Sequence, residues 1–142
     1  MTKRKISILL PYRRAGETLE VYLQKRSPDS KTLPGRFSFW GGGIEINETP
    51  EEALVREVKE ELGMTIEIKS VELFNHYECL KNTKDIFIFE PAAGWENSIV
   101  VGEGEYGKWF TLDEALSSED VILEDKVVLN DLERVILKKP VR

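Results

Sequence analysis

The chain has 142 residues, of which 41% are hydrophobic and 32% are charged, the balance of a soluble globular domain long enough to bury a core. Its net charge of −6 and its pI near 5.0 argue against a nucleic acid polymer or a membrane surface as its main partner. Cys79 is the only cysteine, which excludes an intrachain disulfide, and no apolar run is long enough for a signal peptide or a membrane span, so we expect a cytoplasmic enzyme or binding protein.

The N-terminal part of the chain predicts a hairpin, a short aromatic strand and a glycine run. The sequence predicts a strand at 6–12 and a hairpin partner at 18–25, in which apolar and polar residues alternate, joined by a turn around Gly16. In the second strand this alternation predicts one buried face and one exposed face. A strand at 37–40 leads into glycines at 41–43, and such a run either forms a flexible turn or lets the backbone come close to a ligand.

The clearest prediction is a helix that begins after Thr49 and ends at Gly63. Thr49 suits the N-cap, and Glu52, three residues later, completes a capping box. Pro50 suits the first helical position, and Gly63 is typical of a helix that ends in a left-handed turn. Apolar side chains at helical spacing predict that one flank faces a core: Leu54, Val58 and Leu62.

A second face of this helix carries three carboxylates. Glu57, Glu60 and Glu61 stand at i, i+3 and i+4, so their side chains share one face. Like charges at this spacing destabilise a helix unless positive charge lies among them, and Mg²⁺ prefers oxygen ligands of this kind. A solvated acidic face is an equally favoured interpretation of these three residues alone, because the chain has 26 acidic residues. Arg56, beside them, is suited to hold a carboxylate or a phosphate.

The rest of the chain predicts further strands, an acidic loop and two helices. We expect a long strand at 65–77, a polar turn at 81–84 and strands at 85–90, 98–101 and 108–110. The glycine-rich loop at 102–107 lies before the last of these strands.

Two helices are expected near the C-terminus. Thr111 and Glu114 form a second capping-box pattern, which opens a short helix to Leu116. The final helix covers 123–137 and ends before Pro140, with an apolar stripe made of Val127, Val128, Leu132, Val135 and Ile136. Strands on both sides of a central helix, followed by a closing helix, favour one α/β (α+β) domain over 1–142 with a central mixed sheet covered on both faces.

The spacing over 42–64 resembles the Nudix box at every fixed position. The matching residues are Gly42, Glu48, Arg56, Glu57, Glu60, Glu61 and Gly63, with apolar residues at Val58 and Met64. The resemblance is strict over the box and looser elsewhere, where the order of strands and helices is similar to a Nudix domain. It implies a Nudix-type α/β/α sandwich that hydrolyses a nucleoside diphosphate linked to another moiety, X, through attack of water on the diphosphate.

The resemblance also implies roles for single residues. Glu57, Glu60 and Glu61 match the glutamates that bind Mg²⁺ or Mn²⁺, and the backbone carbonyl of Gly42 matches a further metal contact. Glu48 and Arg56 match a pair that braces the loop against the helix and orients Glu57. The general base in this family is a box glutamate or a glutamate on a later loop. In the acidic loop here both Glu103 and Glu105 are available, and Glu105 is the preferred additional ligand or base, while a solvated turn is an equally favoured interpretation of this loop.

The substrate is indicated only by residues outside the box. Arg26 is a candidate for contact with phosphates, although a surface arginine is the simpler interpretation. Phe39 and Tyr77 are candidates to stack on a base, while we expect most aromatic residues to lie in the core. Downstream of the box the chain lacks the proline of ADP-ribose hydrolases and the tyrosine of dinucleoside polyphosphate hydrolases. By elimination, the resemblance favours a MutT-like nucleoside triphosphatase, including one that acts on oxidised nucleotides.

Other functions on the same fold stay open at this stage. One is a hydrolase of nucleotide sugars or dinucleoside polyphosphates, and another is an isoprenoid-diphosphate isomerase, for which Cys79 is the only candidate thiol. A third is a nucleotide-binding module without turnover, although such modules commonly lose box carboxylates and none is missing here. The sequence leaves a homodimer open, and it does not identify X or the phosphorus that is attacked.

Overall fold

The strands and helices were assigned in a computed structural model that describes residues 3–102 and 104–138. Within these residues the elements are β1 (Arg4–Ala15), β2 (Thr18–Lys25), β3 (Phe37–Ser38), β4 (Trp40–Gly43), α1 (Pro50–Leu62), β5 (Glu72–Glu78), β6 (Asn82–Phe89), β7 (Tyr106–Thr111), α2 (Leu112–Ser117) and α3 (Leu123–Leu137). The predicted bounds of 18–25 and 123–137 are therefore confirmed without change.

A mixed sheet forms the centre of the fold, with β1 in its middle. β1 pairs antiparallel with β2 and β4 and parallel with β6. β6 pairs with β5, and β2 pairs with β3 and β7, all antiparallel. In the ladder between β1 and β4, Gly41 lies opposite Ile8 and Gly42 lies opposite Ser7. The glycine run is thus part of the sheet and not a flexible turn.

Helices cover both faces of this sheet, which confirms the predicted fold class. On one face, α1 packs its apolar flank against Leu9, Tyr22 and Trp40. On the other face, α2 and α3 complete a core that contains Ile8, Leu10 and Ile86, together with Leu112, Ala115, Val128, Leu129 and Leu132 from the two helices. None of the helices in the described residues is long and apolar enough to cross a membrane.

The capping box and the left-handed Gly63 of α1 form as its sequence predicts, and a distant segment adds contacts at its C-terminal end. The Thr49 hydroxyl accepts a hydrogen bond from the Glu52 backbone at 3.1 Å, and the Glu52 carboxylate accepts one from the Thr49 backbone at 2.8 Å. At the other end Gly63 has φ +63°. The backbone N–H groups of Val100 and Gly102 then donate to the Leu62 and Glu61 carbonyls, at 3.0 and 2.8 Å. A distant segment therefore caps the helix that carries the carboxylates.

One predicted strand is absent and another is shorter than predicted. The predicted strand at 98–101 does not form, because the backbone donors at Val100 and Gly102 bond to the end of α1 instead of a neighbouring strand. In the predicted strand at 65–77, only the part from Glu72 onwards is a strand, and 68–70 forms a 3₁₀ turn. Ile66 is buried there in the same core cluster as the apolar flank of α1.

Other boundaries differ because strand pairing extends further than local patterns indicate. β1 begins at Arg4, which lies opposite Asn82, so β6 begins inside the predicted turn at 81–84. β1 also continues to Ala15 through its pairing with β2, and β7 begins at Tyr106 through the same strand. The short helix α2 with its capping box at Thr111 and Glu114 is confirmed.

Two predictions about burial also need correction. β2 is buried on both faces, because α1 and its core cover the face that was expected to be exposed, so Tyr22 and Gln24 are buried. On α3, Val128 and Leu132 face the core as predicted, but Val127 and Val135 are 49% and 57% exposed and Leu129 is buried in their place. Pro140, expected to end this helix, lies outside the described residues.

Replacing Thr49 with alanine should destabilise the protein by about 1 kcal/mol, because it removes the side-chain acceptor that satisfies an N-terminal N–H group of α1. Urea unfolding monitored by circular dichroism measures the change. The matched control is Thr65→Ala, an exposed threonine outside any helix, which should change stability by less than about 0.5 kcal/mol. Equal effects of the two substitutions would contradict a stabilising cap at Thr49.

Candidate active site

A cavity of about 540 Å³ opens beside β4 (Trp40–Gly43), which we call the glycine strand. Its lining includes Gly41 and Gly42 from β4 and, from α1, the three predicted metal ligands Glu57, Glu60 and Glu61. Further lining residues come from β1, β6 and the start of α3, among them Arg4, Ile8, Asn82, Lys84, Glu124 and Asp125. The structure therefore brings the predicted ligands together at a space large enough for a small molecule.

Glu61 is the most buried of the three glutamates and is held at both oxygens. It is 4% exposed. Its Oε1 accepts a hydrogen bond from the backbone N–H of Gly41 at 2.5 Å, and its Oε2 lies 3.3 Å from Nε2 of Gln24. A buried carboxylate needs such donors, because burial without them strongly disfavours the charged form.

Arg56 connects the box loop to the helix. Its guanidinium donates two hydrogen bonds to Glu48, both at 2.9 Å, one to Glu57 at 2.8 Å and one to the carbonyl of Gly43 at 2.9 Å. The contact between Glu48 and Arg56 that the resemblance implied is confirmed. Because the same guanidinium reaches the loop, the strand and Glu57, it fixes the position of the Glu57 carboxylate relative to β4.

The pairing of Glu48 with Arg56 shifts both groups towards their charged forms. The hydrogen bonds from Arg56 and from the Glu45 backbone lower the pKa of Glu48 to about 2. The bond to Glu48 also raises the pKa of Arg56. Both groups are therefore charged throughout the physiological pH range.

Gly42 has no room for a side chain. A Cβ built on this residue would lie 2.6 Å from the carboxylate carbon of Glu57, well inside van der Waals contact. The carboxylate thus rests directly against the glycine backbone, which explains why the first position of the box is a glycine. Carboxylate and backbone oxygens side by side form the hard donor set that Mg²⁺ and Mn²⁺ bind.

The oxygen atoms that could bind a cation lie close to one another, but they are not directed at one common position. Among the described residues no three His, Cys, Asp or Glu side chains are grouped closely enough to hold a metal ion as they stand. Oxygen atoms of Glu57 and Glu61 are directed to Arg56 and to the N–H of Gly41, while the Glu60 side chain is 50% exposed. The exposed Glu60 side chain can change its rotamer without movement of the backbone.

Arg26 and Phe39, two of the predicted substrate contacts, also line the cavity. The guanidinium of Arg26 donates to the Thr32 carbonyl at 2.7 Å and to its hydroxyl at 2.8 Å, and further bonds reach Ser30 and Ser38. Arg26 therefore holds the loop at 27–35 in place as one wall of the site. Phe39 is 6% exposed and contributes mainly to the core.

Three other candidates do not line the cavity in the described part of the chain. The Tyr77 hydroxyl donates to Asp131 on α3 at 2.7 Å, and burial, with this bond, raises the pKa of Tyr77. Glu105 is exposed and is tied to β2 by its backbone N–H, which donates to the Lys25 carbonyl at 2.9 Å. Burial raises the pKa of the Cys79 thiol, which disfavours a nucleophilic thiolate. Glu103 lies outside the described residues.

Sequence reasoning missed a buried ion pair in the wall of the site. Nζ of Lys84 lies 3.1 Å from Oδ1 of Asp125, and the two residues are 6% and 3% exposed. Burial raises the pKa of Asp125, and the ammonium of Lys84 partly opposes this shift. The helical period could have revealed Asp125, since it stands three and seven residues before the buried Val128 and Leu132. Lys84 lies in the predicted turn at 81–84, where a lysine is expected to be exposed. The local sequence therefore gave no indication that it is buried.

The fold and the site define a protein with a carboxylate-bearing helix that is braced against a glycine strand beside a cavity. The NUDIX domain family model matches residues 1–132. The chain belongs to the Nudix family. Members of this family generally need a divalent metal, usually Mg²⁺.

Individual relatives agree with this assignment. An 8-oxo-dGTP diphosphatase from Escherichia coli (strain K12) is 32% identical over 120 residues, which is 84% of this chain and 90% of that protein. The nucleoside triphosphatase NudI from Enterobacter sp. (strain 638) is 49% identical over 49 residues, 34% of this chain and 35% of that protein. The fold is similar to a crystal structure of a MutT protein from Methanosarcina mazei Go1, with a TM-score of 0.71, 21% identity and coverage of 95% and 97% of the two chains.

Replacing Glu48 with glutamine should destabilise the protein at neutral pH and have little effect in strong acid. The pKa of Glu48 in the folded protein is about 2, below its ordinary 4.5, so its stabilising contribution is complete above pH 4.5 and is lost as the pH falls towards 2. Urea unfolding of both proteins at a series of pH values measures the difference. The exposed surface glutamate in Glu67→Gln is the control. A difference from wild type that does not shrink as the pH falls would contradict the assigned bond.

Proposed function

We propose that this protein is a Mg²⁺-dependent pyrophosphohydrolase of (deoxy)nucleoside triphosphates, oxidised nucleotides included, with nucleoside monophosphate and pyrophosphate as products. The observation that carries this proposal is that Glu57, Glu60 and Glu61 line one cavity together with the backbone of Gly42. Further support comes from the relative of similar length, which is an 8-oxo-dGTP diphosphatase.

In this proposal Glu57, Glu60, Glu61 and the carbonyl of Gly42 hold Mg²⁺, with Mn²⁺ as a substitute. When bound, the cation neutralises phosphate oxygens and makes water a stronger nucleophile at neutral pH. The contact of Glu57 with the glycine backbone supports this donor set, because a side chain at Gly42 would separate the two.

The protein's own residues orient the substrate and handle the proton. Arg56 keeps the Glu57 carboxylate against β4, because the same guanidinium bonds to Glu57 and to the Gly43 carbonyl. For the general base we propose a box glutamate, Glu57 or Glu61, in preference to Glu105. The support is positional, because both box residues line the cavity and the Glu105 side chain is exposed. Arg26 contributes by holding the wall at 27–35.

Glu61→Gln should leave a folded protein whose hydrolysis of the best substrate is lower by roughly a thousandfold, because an amide is a weaker ligand for Mg²⁺ than a carboxylate and cannot accept a proton as a general base. The matched control is Glu51→Gln, an exposed glutamate in the first turn of the same helix, which should keep nearly full activity. The measurement is steady-state release of pyrophosphate, with circular dichroism as the check on folding. If Glu61→Gln were as active as the control, Glu61 would have no role in catalysis.

The substrate class is tested by a panel of dNTPs, oxidised dNTPs, nucleotide sugars, ADP-ribose and dinucleoside polyphosphates, each with Mg²⁺. The proposal predicts the highest kcat/KM for a triphosphate. Reaction in ¹⁸O-labelled water then identifies the phosphorus that is attacked, since the label enters whichever product receives the water. A clear preference for a nucleotide sugar or a dinucleoside polyphosphate would keep the hydrolase assignment and overturn the substrate.

A further inference from the structure

Gln24 is the only glutamine in the chain, and its side chain is buried. It lies on β2, on the same face as Tyr22, and is 2% exposed. A buried amide is retained only where its polar atoms find partners, since it loses its hydrogen bonds to water. The contacts of Gln24 therefore indicate why a polar residue occupies this position.

The Gln24 amide bridges the glycine strand and the carboxylate helix. Its Nε2 donates to the backbone carbonyl of Phe39 at 2.8 Å and lies 3.3 Å from Oε2 of Glu61. A carbonyl oxygen only accepts hydrogen bonds, so the atom that faces Phe39 is the amide nitrogen, and its second hydrogen is available to Glu61. The orientation of the amide is thus fixed by chemistry as well as by geometry.

This bridge completes a frame around Glu61. One carboxylate oxygen is held by the N–H of Gly41, and the other faces Gln24, which is itself bonded to the residue two positions before Gly41. On the far side of the amide, a Cβ at Gly104 would lie 2.9 Å from Oε1 of Gln24. The backbone at Gly104 therefore packs closely against the Gln24 amide and limits the rotation of this amide away from Glu61.

We propose that Gln24 is a positioning residue that fixes the Glu61 carboxylate for cation binding. The inference rests on the proposed function, in which Glu61 is a ligand of Mg²⁺. Residues that hydrogen-bond to metal ligands restrict their rotation before the metal arrives, and their loss commonly lowers affinity by about 10-fold to 100-fold. Gln24 lies outside the box, so it adds a contribution from β2 to a site otherwise built on β4 and α1.

The wild-type protein itself provides the first test. Because the chain has one glutamine, labelling the glutamine side-chain amide with ¹⁵N gives one NH₂ signal, which belongs to Gln24. Titration with Mg²⁺ should shift this signal, with the same dissociation constant that calorimetry gives for Mg²⁺ binding. An unchanged signal while calorimetry records binding would overturn the inference.

The second test compares two buried substitutions. Gln24→Met keeps the length of the side chain and removes the donor, so its affinity for Mn²⁺, measured from the EPR signal of the free ion, should fall roughly tenfold. The control is Ser7→Ala, which removes a hydrogen bond of 2.7 Å from the buried Ser7 hydroxyl to the carbonyl of Pro50, at the opposite end of α1 from Glu61. This variant should lose stability and keep the wild-type affinity.

The outcomes separate this inference from the proposed function. Equal Mn²⁺ affinities for Gln24→Met and Ser7→Ala, in an enzyme that hydrolyses nucleotides, would refute a positioning role and leave the function intact. A wild-type protein that binds neither cation and hydrolyses nothing would refute the function itself. If Gln24→Met failed to fold, the Mg²⁺ titration of the wild-type amide signal would decide the question.

Discussion

The close approach of α1 to the glycine strand is the constraint on which the rest of the site depends. A Cβ at Gly41 would overlap the backbone oxygen of Ser7, and one at Gly42 would meet the carboxylate of Glu57. Because neither glycine has a side chain, β4 fits into the sheet beside β1 and still leaves its backbone exposed to the carboxylates of the helix. The contacts of Arg56 with Gly43 and of Gln24 with Phe39 and Glu61 lie at this same junction.

Charge at this junction is balanced by donors that come from several elements. Glu48 and Glu57 share the guanidinium of Arg56, and Glu61 faces an N–H from β4 and an amide from β2. A hydrogen-bonded carboxylate keeps its charge at lower cost than an isolated one in the same place. The helix is therefore able to carry three glutamates on one face, with Glu60 as the most exposed of them.

The sequence predicted α1 well because its signals are local, whereas features that depend on distant partners escaped prediction. Thr49, Glu52 and Gly63 act within one turn of the helix, and their contacts are as expected. The segment at 98–101 has the composition of a strand but bonds to the end of α1. The alternation in β2 predicts an exposed face for Gln24. This face is instead covered by α1 and its core, which no local pattern in β2 indicates. Box spacing predicted which side chains line the cavity, but not where Glu105 would lie.

A crystal structure of the protein grown with Mn²⁺ and a non-hydrolysable nucleoside triphosphate analogue tests the central claim most directly. The account predicts an anomalous peak at Mn²⁺–oxygen bonding distance from the carbonyl of Gly42 and from carboxylate oxygens of Glu57 and Glu61, with the triphosphate bound at the same ion. A cation bound instead by Glu124 and Asp125 beside Lys84, or a triphosphate that lies away from α1, would contradict it.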